Sequence, residues 1–238
     1  MSNARTDGLV ISGRSAGCGC LLVELEGVAF NSRRVAYDVL ASIFADRDAR
    51  LTTTLFAKHC VDTHPAAFAA PLLKSLKKER MSADKLIADL NEGVRLSLLD
   101  AGLQPAPGFR DLLEAARKQG LSIGVVSNLD DDTAHTLCEK AGLDPALTPL
   151  AANATPWEIA APANPWRLLT RRLECETGAC MALTTSHGAC MAAIASTLWC
   201  GVLTDEFVAF HDFTGADLIL DTLDAASADR LLAMAERT

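Results

Sequence analysis

The sequence has no continuous apolar run near the roughly 18 residues that a membrane-spanning helix needs, and nothing near its start resembles the long apolar core of a secretory leader. Its 22 lysines and arginines never gather into a patch, and 30 acidic residues outnumber them to a net charge of −8. Nucleic acid and anionic membranes are therefore not expected as partners. There is no CxxC pair, and the spacings of the eight cysteines fit no zinc template. Internal repeats and low-complexity tracts are missing as well. Together these absences predict a cytosolic globular protein. Half of its 238 residues are hydrophobic, enough for one large domain or for a core carrying a smaller insert.

Cys138, Cys190 and Cys200 fall inside apolar patterns and read as small buried hydrophobes. Cys18-Gly19-Cys20 has the composition of a soft-metal pair, but loop thiols leading into a strand are the expected reading.

The most informative stretch is Leu21-Leu22-Val23-Glu24-Leu25-Glu26-Gly27-Val28. An apolar run with β-propensity ends in two carboxylates, and alternation along a strand puts them on one side about 7 Å apart. Gly27 lets the backbone turn sharply beyond them. Carboxylates at the end of a buried strand are where open α/β sheets keep their chemistry.

Residues 1–19 read as an extension, with an extra edge strand over Gly8 to Ser12 as one option. Residues 33–103 carry only helical signals. Arg34 to Phe44, Leu51 to Cys60 and Pro65 to Lys78 are predicted helices, and Ser82 caps a fourth through Leu86, Ile87, Leu90, Val94 and Leu98 that Gly102 stops. From Gln104 strands alternate with helices: a turn at Pro105-Ala106-Pro107-Gly108, a helix from Phe109 and a buried strand from Leu121 to Ser127. A helix capped by Asp130 to Asp132 follows, then a helix from Asn164-Pro165, a strand over Ala179 to Thr185 and a helix from Gly188. Strands at Trp199 to Leu203 and Leu218 to Leu220 and a last helix from Ala226 complete the chain. That rhythm requires right-handed crossovers and a parallel sheet.

The layout resembles the haloacid dehalogenase superfamily, in its phosphatase and phosphoglucomutase-like branch. There the first strand ends in Asp-x-Asp-Gly-Val and a loop closing on Ser; here the same place reads Glu24-Leu25-Glu26-Gly27-Val28 and closes on Ser32. The branch inserts a helical cap, which matches 33–103, and re-enters the core through a Pro-Gly turn, which matches Pro107-Gly108. Its second motif, a strand ending in Ser or Thr and then Asn, matches Ser127-Asn128; its Lys-Pro matches Ala161-Pro162; its Glu-Asp-Ser matches Thr184-Thr185-Ser186. The resemblance implies a Rossmann-like parallel α/β core, 20–32 and 104–238, with an inserted all-helical cap.

In that family the first Asp attacks phosphorus, the second is the general acid and base, fourth-motif carboxylates help hold magnesium, and the lysine and Ser or Thr hold the transferring phosphoryl group. Here both motif-one positions are glutamates, and a misplacement of about 1 Å can cost about a hundredfold. Thr184 and Thr185 replace carboxylates that magnesium favours, and Ala161 replaces the lysine. The expectation is a pseudoenzyme of hydrolase fold. Glu24, Glu26, Ser127, Asn128, Ala161, Thr184, Thr185 and His187 would line a core–cap cleft that receives a small phosphorylated or anionic ligand. A second copy of the chain is another candidate partner. No metal and no cofactor are expected. The alternative is an active hydrolase with Glu24 as nucleophile and Glu26 as acid and base, and Mg²⁺ enters only there.

Asp130 to Asp132 cap a helix rather than hold metal, and Arg167, Arg171 and Arg172 are surface arginines rather than a replacement for the lysine. Trp157 and Trp166 pack rather than line a pocket. His187, at a helix start facing the cleft, is a base only with a partner that the sequence does not reveal. His59, His64, His135 and His211 show no ligand spacing.

Overall fold

The structure, a computed structural model, describes residues 19–144, 147, 150–151 and 165–234. The expected edge strand at Gly8 to Ser12, Cys18, Trp157, Ala161 and Asn164 lie outside the described residues.

A six-stranded sheet runs β3-β2-β1-β4-β5-β6, every neighbouring pair parallel. The strands are β1 (Cys20–Glu24), β2 (Ser122–Ser127), β3 (Leu150–Ala151), β4 (Cys180–Thr184), β5 (Trp199–Leu203) and β6 (Leu218–Leu220). β1 and β4 are buried at every residue, which is why they read as continuous apolar runs rather than alternating ones. Strand order reverses between β1 and β4, and in such sheets the crevice opens outside the carboxyl ends at that reversal. Glu24 ends β1, Ser127 ends β2 and Thr184 ends β4, so the order gathers three sequence-distant segments at one edge.

Four helices lie between β1 and β2: α1 (Ser32–Ala45), α2 (Thr53–His59), α3 (Pro65–Ser75) and α4 (Ala83–Leu99). α4 buries Leu86, Leu90, Val94 and Leu98, four residues apart, against α1 and α3. Ser82 caps it by accepting from Lys85 N at 3.2 Å. Gly102 does not stop it. The backbone leaves helical geometry at Asp100, whose carboxylate then accepts from Gly102 N at 2.7 Å. Tyr37 of α1 and Phe56 of α2 close on Phe207 beyond β5, with ring centroids 5.5 and 4.8 Å from it. That aromatic contact holds the helical insert over the carboxyl edge of the sheet.

The core continues as α5 (Phe109–Lys118), α6 (Asp131–Ala141), α7 (Pro165–Arg172), α8 (His187–Ala195) and α9 (Ala225–Leu232). The Pro-Gly turn needs its glycine: Gly108 has φ +78°, and a Cβ there would lie 1.8 Å from the Leu223 carbonyl oxygen. Cys138, Cys190 and Cys200 are buried as expected. Among the described residues no helix is long and apolar enough to cross a membrane.

Candidate functional site

The strand reading of Glu24 and Glu26 is only half realised. β1 ends at Glu24, and Leu25–Ala29 wind into a single π-helical turn, so strand alternation does not relate the two carboxyl groups. Gly27 serves clearance rather than a left-handed backbone: a Cβ there would stand 2.3 Å from Thr185 Oγ1 and 3.3 Å from Glu24 Oε2.

Each glutamate is tied to a different strand end. Glu24 Oε2 accepts from Thr185 N at 2.7 Å and from Thr185 Oγ1 at 3.0 Å. Glu26 Oε1 accepts from the Ser127 hydroxyl and from Asn128 N at 3.1 Å. Both side chains are buried, 5% and 3% exposed. Burial raises both carboxyl groups above the usual range, Glu26 to about 7, and their hydrogen bonds only partly oppose it.

Arg33, which sequence reasoning passed over as the first cap residue, is the centre of the charge arrangement. Its guanidinium donates to the Asp205 carboxylate, to the Thr185 carbonyl oxygen, and to Thr185 Oγ1 at 2.8 Å. Arg33 and Asp205 side chains are each 13% exposed. The Thr185 hydroxyl thus receives from Arg33 and gives to Glu24, and the cation draws Glu24 down against the larger effect of burial. The signal in the sequence was position: a basic residue directly after the loop that follows the motif-one strand.

The lining holds the carboxyl groups of Glu24, Glu26 and Asp62, but the position matching the fourth-motif metal carboxylate is Thr185. Hard divalent ions want carboxylate and water oxygens. Thr185 offers a hydroxyl already bonded to a guanidinium, and that fixed positive charge sits where a second cation would be repelled.

Glu24, Glu26, Asn128 and Thr185 line one cavity of about 50 Å³, together with Arg33 and Asp62 and the apolar walls Leu40, Phe56, Phe68 and Leu90. Ligand sites run to about 300–1,000 Å³, whereas a water occupies about 30 Å³ of liquid. Asn128 Oδ1 is buried with no hydrogen-bond partner among the described residues, so the cavity offers an acceptor to a small donor. Thr184 is fully buried at the end of β4.

His187 does not face the cleft. It is exposed, its Nδ1–H donates to the Asp212 carbonyl oxygen at 2.7 Å, and its backbone N–H donates to Asp62 at 3.3 Å. Asp130 caps α6 through Thr133 N at 2.9 Å and Thr133 Oγ1 at 2.7 Å. Arg167, Arg171 and Arg172 are exposed, and Trp166 is buried with its indole N–H on the Ala189 carbonyl oxygen at 3.1 Å. Ala161, expected at the phosphoryl side, lies outside the described residues.

No family model and no curated protein matches the sequence. Solved structures do. A HAD family hydrolase from Deinococcus radiodurans, with bound phosphate and sodium, has a TM-score of 0.70 at 19% identity over 93% of this chain and 97% of its own. The fold is that of the haloacid dehalogenase hydrolases. β-Phosphoglucomutase from Clostridium difficile gives 0.68 at 13% identity, over 92% of this chain and 97% of its own. CbbY from Rhodobacter sphaeroides, in complex with phosphate, gives 0.67 at 19% identity over 88% and 98%. The haloacid dehalogenase fold accounts for the strand-edge position of the cleft. It does not by itself assign an activity.

The buried acids predict a pH signature. Glu26 moves from an unfolded value of 4.5 to about 7 on folding. Between those values the folded state holds more protons, so stability falls as pH rises. Asp130, Asp212 and Asp224 act below 3.8 and Glu92 below 4.5, outside this window. His59, lowered from 6.5 first by burial, acts inside it with the opposite sign but is only partly buried, so the buried Glu26 sets the direction. Thermal melts from pH 4.5 to 7.5 should show Tm declining, and Glu26→Gln should flatten the decline. A wild-type Tm that rises across the window would refute the assignment.

Proposed function

We propose that this chain keeps the haloacid dehalogenase fold without phosphoryl turnover, and that it acts through what it binds rather than what it converts. The Arg33 guanidinium bonded to Thr185 and Asp205 carries the reading. It supports a site in which a built-in organic cation stands in place of a divalent ion. Glu24, the residue matching the nucleophile, is held by two donors of Thr185. The phosphorylated or anionic ligand suggested by the resemblance finds little support in the lining. Glu24, Glu26 and Asp62 bring three carboxyl groups, against one guanidinium already bonded to Asp205. A cytosolic setting belongs to the same proposal.

The test is hydrolysis of a generic aryl phosphate by wild type and Glu24→Ala, with and without magnesium. The expected rates are equal in all four arms, and millimolar phosphate should leave Tm unchanged. Turnover that requires Glu24 would replace this proposal with the second reading, in which Glu24 attacks and Glu26 is the general acid and base. One observation favours that reading: Glu26, near 7, sits in the range where proton transfer at neutral pH is efficient. The engagement of both carboxyl groups by the protein's own donors opposes it.

A further inference from the structure

At the opposite end of the sheet from the cleft, three cysteines meet. Cys20 opens β1 and Cys180 opens β4, and the two are partners in the parallel register. Cys175 lies in the segment between α7 and β4. The sulfurs of Cys20, Cys175 and Cys180 all lie within 4.8 Å of one another. They come from positions 155 and 160 residues apart and from a separate local pair, so no spacing template could have joined them (175 − 20 and 180 − 20). We infer that these three thiols form a site for a thiophilic d¹⁰ metal ion, Cu(I) or Zn(II), independent of the cleft.

The donor set is uniform. Among the described residues no histidine or carboxylate belongs to the cluster, and all-thiolate sets select Cu(I) and Zn(II) over hard ions. A metal–sulfur bond near 2.3 Å requires sulfurs about 3.8–4.0 Å apart, so the cluster must contract by no more than about 1 Å. Cys20 and Cys180 are fully buried while Cys175 is partly exposed, which gives an incoming ion a path and the bound ion a dry seat. Cys180 Sγ–H donates to the Glu176 carbonyl oxygen at 3.1 Å, and Cys175 Sγ–H to that of Leu173 at 3.5 Å. Loading forms three metal–sulfur bonds and releases three thiol protons to solvent, with no change in oxidation state. The ion would tie the start of the central strand to the start of its neighbour across the strand-order reversal, a structural role.

The test uses the full reduced chain under anaerobic conditions. It is titrated with Cu(I) held by a competing chelator, and separately with Zn(II) and with Cd(II) as an optical probe. One equivalent should bind, with a thiolate-to-Cd(II) charge-transfer band, three sulfurs around the metal by X-ray absorption and a raised Tm. The arm with the tighter binding identifies the ion. Cys175→Ser, at a partly exposed loop position, should weaken binding by no less than the roughly 10- to 100-fold that loss of a mere outer-shell partner costs. Cys138→Ser should bind as wild type. Sulfur counts below three, no charge-transfer band, or equal affinity in Cys175→Ser would overturn the inference. The sulfur count is read on the wild-type chain, so a variant that fails to fold does not shield it.

Discussion

Reinstating the family's charged residues is expected to fail while Arg33 remains. In a chain carrying Glu24→Asp, Glu26→Asp, Thr185→Asp and Ala161→Lys, the guanidinium that now reaches Thr185 and Asp205 would pair with the new carboxylate and compete directly with magnesium. Adding Arg33→Ala removes that competitor. The five-substitution chain should hydrolyse an aryl phosphate at least about a hundredfold faster than the four-substitution chain, the scale that correct placement of a reacting group commands, and only with magnesium present. Steady-state rates on both chains decide it. Equal rates that are well above background would show that Arg33 is not the obstacle. No rate in either would place the obstacle in the shape of the cleft, whose cavity of about 50 Å³ is lined by Phe56 and Phe68.

The second large effect is on stability. Arg33→Met keeps the aliphatic stem and deletes the charge, leaving Asp205 and Glu24 without their cation. Breaking a buried ion pair from one side costs about 3–5 kcal/mol, and the partial exposure of this pair, 13% on each side, places the expectation at the lower end. For a chain of this size that is a fall in Tm of about 10 °C. Asp205 keeps its own bonds from Phe207 N at 2.8 Å and Val208 N at 3.2 Å, so Asp205→Asn should cost less than Arg33→Met. A double-mutant cycle on the two positions should return a coupling above about 1 kcal/mol, as contacting charges do. A coupling near zero would mean that the guanidinium serves Thr185 alone.

The departures from the resembled motifs were legible from residue types. Exchanging Asp for Glu, and carboxylate for Thr at 184 and 185, changes reach and charge whatever the fold does with them. The helical insert was legible too, because apolar residues four apart on α4 and a Ser82 cap are local facts. Errors arose where one residue's geometry depended on distant neighbours. Glu26 left the strand because β1 ends at Glu24 and the turn packs Gly27 against Thr185, 158 residues on (185 − 27). His187 turned away because Asp212 and Asp62 hold it.

What the chain determined alone was the alternation of strands and helices, the place of the insert and the residue types at the motif positions, since periodicity, capping and side-chain chemistry need no partner. Only the tertiary structure decided that Arg33 stands beside Thr185 and Glu24, and that Cys20, Cys175 and Cys180 share one corner. Both gatherings are set by the order of strands in the sheet, which brings β1 beside β4, and strand order is a property of long-range packing that no local window of sequence contains.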